Sequence, residues 1–304
     1  MMGGEFQIAK ICDPEPVTVR QALQEGTGFL SRMGLESARL EAELLLGKVL
    51  GGGREGLYLN YEMPLKRREK NLFQRALQRR TRREPVSYIT GQREFWSLEF
   101  LVTPAVLVPR PETELLVEVA LEVTGQSDES FPFKILDLGT GSGAIAVSLA
   151  KERGDLEVWA TDLSSGALEI ARANAAHHGV GEKVHFLQGD LFEPVDGRQG
   201  FFHLVVSNPP YVRRGEFQNL PPEIRDWEPR SALDGGVDGL DLYRRIIQEG
   251  HLYMVDGGLM ALEIGADMGD EISRLFASVG FYSEGTLHRD CAGRDRVVVA
   301  RKLP

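Results

Sequence analysis

Apolar residues over the first 85 positions recur three and four apart, the spacing of a single helix face. Thr18 is placed as an N-cap before Val19-Arg20-Gln21-Ala22-Leu23, and Ser37 before the run from Ala38 to Leu46. Gly51-Gly52-Gly53 breaks the pattern. A third helix is predicted from about Leu65 to Arg83, with Leu72, Phe73, Ala76 and Leu77 as its apolar stripe. Pro85 ends it, because the residue ahead of a proline is pushed out of the helical region. From Glu94 to Thr103 polar and apolar positions alternate and carry aromatic side chains, which predicts a hairpin. Beyond Pro109 strand and helix patterns follow one another, implying a parallel sheet with helices on both faces. Strands are predicted at 133–138, 157–161, 183–187, 202–206, 258–263, 280–285 and 295–301. The last two leave no room for a helix between them and predict an antiparallel edge pair. The expected organisation is a helical domain over 1–85, a β-hairpin linker over 86–108 and an α/β domain over 109–304.

Composition adds a class and a compartment. The 304 residues are 42% hydrophobic and 26% charged, an ordinary globular balance that excludes a disordered or collagenous chain. The formal charge of −10 disfavours a protein that coats DNA. That figure is an average. Residues 66–93 carry ten basic side chains against Glu69 and Glu84, so this stretch is +8 and everything else −18. Such a stretch reads either as a solvated helix face or as a docking surface for an acidic protein patch, in which Arg79 and Arg80 would take part. Only Cys12 and Cys291 occur, without a C-x-x-C pair, which favours a reducing cytosol over a disulfide or zinc framework. The N-terminal ten residues lack the pattern of a secretory signal. The best apolar run, Ile135 to Ala150, is interrupted by Asp137 and three glycines, so no membrane span is expected. The six histidines show no H-x-x-x-H spacing, and no metal site is expected. His177 and His178 fit a helix C-terminus, where the macrodipole favours cations.

The chemistry begins at Asp137-Leu-Gly-Thr-Gly-Ser-Gly143, a glycine turn between an apolar strand and an amphipathic helix. Gly139, Gly141 and Gly143 let the backbone turn tightly and approach a ligand. The next strand ends at Asp162, 23 residues after Gly139, where an acid accepts hydrogen bonds from ribose hydroxyls in nucleotide-binding α/β folds. The spacing Gly139-x-Gly141-x-x-Ala144 leaves a dinucleotide open, whereas the Gly-Lys-Ser/Thr of a phosphate loop is missing.

Asn208-Pro209-Pro210-Tyr211 narrows the choice. An apolar strand runs to Ser207 and two prolines then throw the chain out of the sheet. In a doubly wound sheet ligands bind outside the carboxyl ends of the strands, so this turn belongs beside the glycine loop. Asn208 Oδ1 and the Pro209 carbonyl are two acceptors for the N–H groups of a planar amide or aromatic amine, and Tyr211 can pack on its flat face. Such a nitrogen is a poor nucleophile, and what it needs is orientation toward an activated methyl group. Glu263-Ile264-Gly265 ends a central strand, where it either faces the site or caps the strand.

With these motifs the sequence resembles the class I, Rossmann-like seven-stranded S-adenosylmethionine-dependent methyltransferases. More narrowly it resembles the release-factor glutamine methyltransferases (the PrmC/HemK family). The marks run through nearly the whole chain: Arg83-Glu-Pro-Val-Ser-Tyr-Ile-Thr-Gly91, Glu94-Phe-Trp96, Val108-Pro-Arg-Pro-Glu-Thr-Glu114, the glycine loop, Asn208–Tyr211, the segment from Glu228 to Leu240, and Asp295-Arg-Val-Val-Val-Ala-Arg301. Adenine-N6 nucleic-acid methyltransferases share Asn-Pro-Pro-Tyr but need a target-recognition domain and a basic groove, which the acidic catalytic half does not suggest. Glutamine methyltransferases of ribosomal proteins usually differ after Val-Pro-Arg. The resemblance implies N5-methylation of the glutamine in the Gly-Gly-Gln motif of class I peptide chain release factors, by a monomeric cytoplasmic enzyme that touches neither DNA nor membrane and converts S-adenosylmethionine to S-adenosylhomocysteine. It further implies that Gly139, Thr140, Gly141, Ser142 and Gly143 contact the cofactor, that Asp162 holds its ribose, and that Asp190 and Leu191 flank its adenine. Leucine would there offer an apolar wall where relatives often carry an aromatic ring. Asn208, Pro209, Pro210 and Tyr211 would bind the target amide, Asn208 also touching the cofactor, and Arg110, Pro111 and Glu112 would line or close the site. The helical domain would dock the protein substrate.

Overall fold

The computed structural model describes residues 17–125 and 133–304. Cys12 and the N-terminal ten residues, on which part of the compartment reading leaned, lie outside the described residues. The chain separates into two compact units, one reaching to Thr90 and one beginning at Gly91.

The first unit is helical: α1 (Val19–Arg32), α2 (Ala38–Leu50), α3 (Gly53–Leu59), α4 (Arg67–Thr81) and the short α5 (Val86–Thr90). Thr18 caps α1 through a reciprocal bond pair with Gln21, whereas Ser37 stands before α2 without a side-chain cap bond. The glycine triplet does end α2, with Gly51 left-handed, but the chain re-enters a helix at once. That added helix, α3, supplies Leu57 to a core with Leu23, Leu45, Leu46 and Phe73. In α4, Phe73, Ala76 and Leu77 are buried, while Leu72 faces outward at 40% exposure. The basic run divides into two kinds of residue. Arg80 is buried and grips Glu41 with Nε at 2.8 Å and Nη2 at 3.0 Å, and Arg79 Nε donates to buried Glu84 at 2.8 Å. Arg80 is therefore an internal strut, Arg79 is exposed but tied to Glu84, and the other solvent-facing cations of α4 include Arg67, Arg68 and Arg75.

The second unit opens with the hairpin β1 (Gln92–Phe95) and β2 (Leu98–Leu101), followed by α6 (Glu114–Thr124), β3 (Phe133–Leu138), α7 (Ala144–Glu152), β4 (Leu156–Asp162) and α8 (Ser165–His177). After these come β5 (Val184–Gln188), β6 (Phe202–Ser207), the single turn α9 (Pro222–Arg225), α10 (Asp241–Tyr253), β7 (Met254–Glu263), α11 (Gly269–Val279), β8 (Thr286–Arg289) and β9 (Asp295–Arg301). The main sheet has seven strands in the order β5-β4-β3-β6-β7-β9-β8, parallel from β5 to β7 and antiparallel where β9 joins β7 and β8. Alternate residues of one strand feed opposite cores. Ile135 and Leu204 join the cluster under α6 and α7, while Leu136 and Val205 join the one under α10 and α11.

The strand predicted at 280–285 lies instead at 286–289. Gly280, left-handed at φ +72°, caps α11, and Tyr282 turns inward to give its hydroxyl to the Ile247 carbonyl at 3.0 Å. Only one bridge, Tyr282 to Lys302, reaches the sheet from that segment. The hairpin, expected as a separate joint, packs within the second unit. Asn174 of α8, 1% exposed, accepts from Leu101 N at 2.7 Å and donates to the Leu101 carbonyl at 3.0 Å and to the Ser142 carbonyl at 2.8 Å. His178, just past α8, donates through Nε2 to the Glu99 carbonyl at 2.8 Å, so the end of that helix ties down the hairpin as well. No helix among the described residues is long and apolar enough to cross a membrane.

Candidate active site

Strand order fixes where the site must be. From β3 the chain moves outward to β4 and β5, then returns to place β6 on the other side of β3, so the order reverses at the β3/β6 boundary. Leu138 pairs in register with both Thr161 and Ser207, and the residues that follow, Gly139, Asp162 and Asn208, emerge from three neighbouring strand ends. Ser207 Oγ donates to the Leu138 carbonyl at 2.7 Å and ties two of those exits together.

The glycine loop turns on left-handed φ angles of +71° at Gly139, +57° at Gly141 and +80° at Gly143. At Gly143, which caps α7, an added Cβ would come within 3.1 Å of the Ala171 Cβ, so this glycine also serves helix packing. Asp162 closes the loop: its Oδ2 accepts from Gly141 N and its Oδ1 from Ser164 N, both at 2.8 Å. Burial raises its carboxyl above the usual range against the pull of those two bonds. Beneath the loop, Asp137 is buried, takes the Thr140 hydroxyl hydrogen on Oδ2 at 2.6 Å and leaves Oδ1 without a partner. Burial lifts that carboxyl to about 7.

Over the loop lies a cavity of about 510 Å³. Gly139, Gly141, Asp162, Asp190, Leu191 and Asn208 all line it. Leu191 is held left-handed at φ +49° while its carbonyl accepts the Thr161 hydroxyl at 3.0 Å. The adjoining Asp190 is gripped by Arg245, Nη2 to Oδ2 at 2.9 Å and Nη1 to Oδ1 at 3.2 Å. Thr140 and Ser142 are buried and do not line this cavity, the Thr140 hydroxyl being spent on Asp137.

A second cavity of about 170 Å³ abuts the first. Leu107, Asn208, Pro210 and Ala232 belong to both, while Pro209, Tyr211 and Arg110 line only the smaller one. Tyr211 is half-buried, which pushes its hydroxyl pKa up, with the charge of Glu263 adding to the effect. Its backbone is clasped by the loop after Asp234. A Cβ on Gly235 would come within 2.7 Å of the Tyr211 Cα, and one on Gly239 within 2.6 Å of its carbonyl. Arg110 donates to both oxygens of buried Glu228 at 2.6 and 2.7 Å. Burial raises the Glu228 carboxyl, and the charge of Arg110 pulls the other way. Glu112 is exposed on the turn that follows and lines neither cavity.

Its neighbour Thr113 is the residue that faces inward. Asn208 Nδ2 donates to Thr113 Oγ1 at 3.1 Å, and the carboxyl of Glu263 at the end of β7 lies near the same hydroxyl. Glu263 is 1% exposed and its Oε2 has no partner. Burial raises its carboxyl to about 7, while the Thr113 hydroxyl and the charge of Arg296 pull the other way. Sequence reasoning singled out neither Thr113, Arg245 nor Ala232. The only signal was their place inside or beside motifs that mark the family resemblance. No group of histidine, cysteine and carboxylate side chains able to hold a metal occurs among the described residues.

Residues 21–91 match the family described as PrmC N-terminal domain, and residues 112–220 the one described as methyltransferase small domain. A release factor glutamine methyltransferase of Geobacter sulfurreducens is 42% identical over 288 residues, covering 95% of this chain and 98% of that protein. Its counterpart in Moorella thermoacetica is 43% identical over 284 residues, 93% of this chain and 98% of that one. Among solved structures, the hMettl16 catalytic domain in complex with the MAT2A 3'UTR hairpin 6 aligns at TM-score 0.56 and 14% identity over 73% of this chain and 81% of its own. The human methyltransferase 10 domain containing protein aligns at 0.52 and 14% over 68% and 89%. At such identity the likeness is one of fold, and it is the class I methyltransferase fold.

Proposed function

The chain belongs to the release factor glutamine methyltransferases, and from that membership we propose that it transfers a methyl group from S-adenosylmethionine to the side-chain amide nitrogen of the glutamine in the Gly-Gly-Gln motif of class I release factors. The observation that carries this reading is the shared wall: Asn208 and Pro210 border both the cavity over the glycine loop and the smaller cavity beside it. One cavity suits the cofactor and the other a planar amide, and the two meet at the residues that would orient the nitrogen.

The larger cavity fits the cofactor on its own chemistry. No atom lies within 4 Å of a Cβ built on Gly139 or Gly141, so the loop leaves open space above it, with the Asp162 carboxylate at one side and the apolar Leu191 at another. Asp162 would hold ribose hydroxyls, while Asp190, Leu191 and Leu163 would enclose the adenine. When bound, S-adenosylmethionine supplies a methyl group already activated by its sulfonium. The protein's work is therefore orientation and exclusion of water. Asn208 Oδ1 and the Pro209 carbonyl accept the two N–H groups of the glutamine amide and hold its nitrogen toward the larger cavity. Tyr211 packs on the flat amide. The smaller cavity has no carboxylate or imidazole in its lining, in keeping with a nitrogen whose proton becomes acidic only as the new bond forms.

Incubation with labelled S-adenosylmethionine tests this against its rivals. Label is expected on a class I release factor, and not on the same factor with Gln of Gly-Gly-Gln replaced by Ala, on ribosomal proteins or on DNA. Equal labelling of the Ala variant, or labelling of DNA, would overturn the assignment.

The exposed cations of α4 suit an acidic patch on the protein substrate, since Arg67, Arg68 and Arg75 line one surface hollow around Leu72. Reversing all three to Glu is expected to raise KM for the release factor about tenfold, mainly through slower encounter. The fall in kcat should be much smaller, and an unchanged KM would return this face to the role of a solvated surface.

A further inference from the structure

Two oppositely charged side chains meet on the wall of the larger cavity, Asp190 just beyond the end of β5 and Arg245 on α10. They lie side by side, Nη1 on Oδ1 at 3.2 Å and Nη2 on Oδ2 at 2.9 Å. Both side chains are nearly half exposed, and a pair so open to water contributes little to stability. What the fork does supply is geometry, because two parallel bonds fix the plane of a carboxylate.

The backbone around Asp190 is held by other means. Gly189 N donates to the Asp162 carbonyl at 3.1 Å, and a Cβ on Gly189 would come within 2.4 Å of Pro194 Cγ. On the other side Leu191 is left-handed, with its carbonyl on the Thr161 hydroxyl. The Asp190 side chain alone is left to turn, and among the described residues its carboxylate is hydrogen-bonded by Arg245 only. Arg245 stands on a firm base. The helix α10 buries Tyr243, Ile246 and Ile247, and Tyr243 donates its hydroxyl to the Glu263 carbonyl at 2.7 Å. Leu242, three residues before Arg245, lines the same cavity, so this edge of the helix borders it.

Gly139, Asp162 and Asp190 stand at the ends of β3, β4 and β5, three strands that are neighbours in the sheet. With the ribose on Asp162, over the middle strand, and the methionine end on the glycine loop, the base is carried toward Asp190. A carboxylate can only accept hydrogen bonds, so it suits the exocyclic amine of adenine and repels a carbonyl oxygen in that place. Hypoxanthine has that carbonyl and carries its hydrogen on the adjacent ring nitrogen. A carboxylate free to turn could follow the hydrogen. One held by both oxygens cannot.

We propose that Arg245 is a positioning residue for cofactor recognition, locking Asp190 as the acceptor that selects the 6-amino group of adenine over a 6-oxo group. The proposal rests on the methyltransferase reading. Arg245 acts through Asp190 and takes no part in methyl transfer.

The test measures binding to the full chain by calorimetry, with S-adenosylhomocysteine and its hypoxanthine counterpart, S-inosylhomocysteine, as the two probes. The wild type is expected to bind the adenine compound about 100-fold more tightly, the scale on which a site built for a hydrogen bond rejects a ligand that lacks it. Arg245→Met keeps the apolar stem and removes the fork. It should weaken S-adenosylhomocysteine about three- to tenfold and lower the ratio between the probes to about 10 or less. Arg245→Lys returns the charge as a single point without the fork, so its ratio should stay closer to that of Arg245→Met than to the wild type. A brace that merely stiffened the loop would weaken both probes alike. A wild-type ratio below about threefold, an Arg245→Met ratio within about twofold of the wild type, or full recovery in Arg245→Lys would each overturn the proposal. If Arg245→Met does not fold, judged by thermal unfolding, Arg245→Gln takes its place in the same measurements. Failure of the methyltransferase reading would show separately, as a wild-type protein that binds neither probe and labels no release factor.

Discussion

Asn208→Ala is expected to reduce kcat for release factor methylation by about 10²- to 10³-fold, the usual cost of losing one preorganised polar group that acts on the reacting centre. The side chain lost is the one that borders both cavities and that Thr113 holds at 3.1 Å. Binding of S-adenosylhomocysteine should change little by comparison, because the loop glycines, Asp162 and Leu191 remain in place around the larger cavity. Single-turnover rates paired with calorimetry separate the two effects. A variant that still turns over within a few-fold of the wild type would mean that Asn208 does not orient the nucleophile.

The second large effect is expected on cofactor affinity. Asp162→Ala should weaken S-adenosylhomocysteine about 100-fold. Charge-assisted hydrogen bonds contribute about 1.5–3 kcal/mol each, and about 2.7 kcal/mol of net loss already gives that factor. Asp162 has two tasks at once. It would hold the ribose, and its carboxylate already fixes Gly141 N and Ser164 N at 2.8 Å, so alanine also loosens the loop. Asp162→Asn keeps one oxygen as an acceptor and should fall between alanine and wild type. A calorimetric Kd within threefold of wild type for the alanine variant would remove Asp162 from the cofactor site.

What the sequence made legible has a common cause. The glycine loop, Asp162 and Asn208–Tyr211 are each contiguous, each ends a strand, and a doubly wound sheet gathers strand ends on one side. Topology therefore brings together what local pattern can recognise. The partners that complete the site are single residues with no period to betray them. Arg110 meets Glu228 across 118 positions, Arg245 meets Asp190 across 55, and Thr113 meets Asn208 across 95. Their contacts exist only once the sheet has formed. The two misplaced elements share a local cause, in that glycines act as punctuation whose meaning depends on context. Gly51–Gly53 ends one helix and starts another, and Gly280 with Gly285 frames a turn rather than a strand. The basic run is a third case. Composition cannot tell an exposed arginine from Arg80, whose guanidinium is buried on Glu41.

The single amide of Asn174 bears on where this protein can be cut. A fragment starting at Pro109 would contain the whole seven-stranded sheet, the glycine loop, Asp162 and Asn208–Tyr211, yet it would strip from Asn174 both bonds to Leu101. The amide would then face a vacated hairpin, two of its three bonds gone, with the third on the Ser142 carbonyl of the cofactor loop. An unpaired buried polar group costs about 1–3 kcal/mol, and here the cost would fall on the loop that shapes the larger cavity. Dissection of the catalytic half is therefore better made at Gly91, keeping β1 and β2 at its start rather than discarding them as a tether.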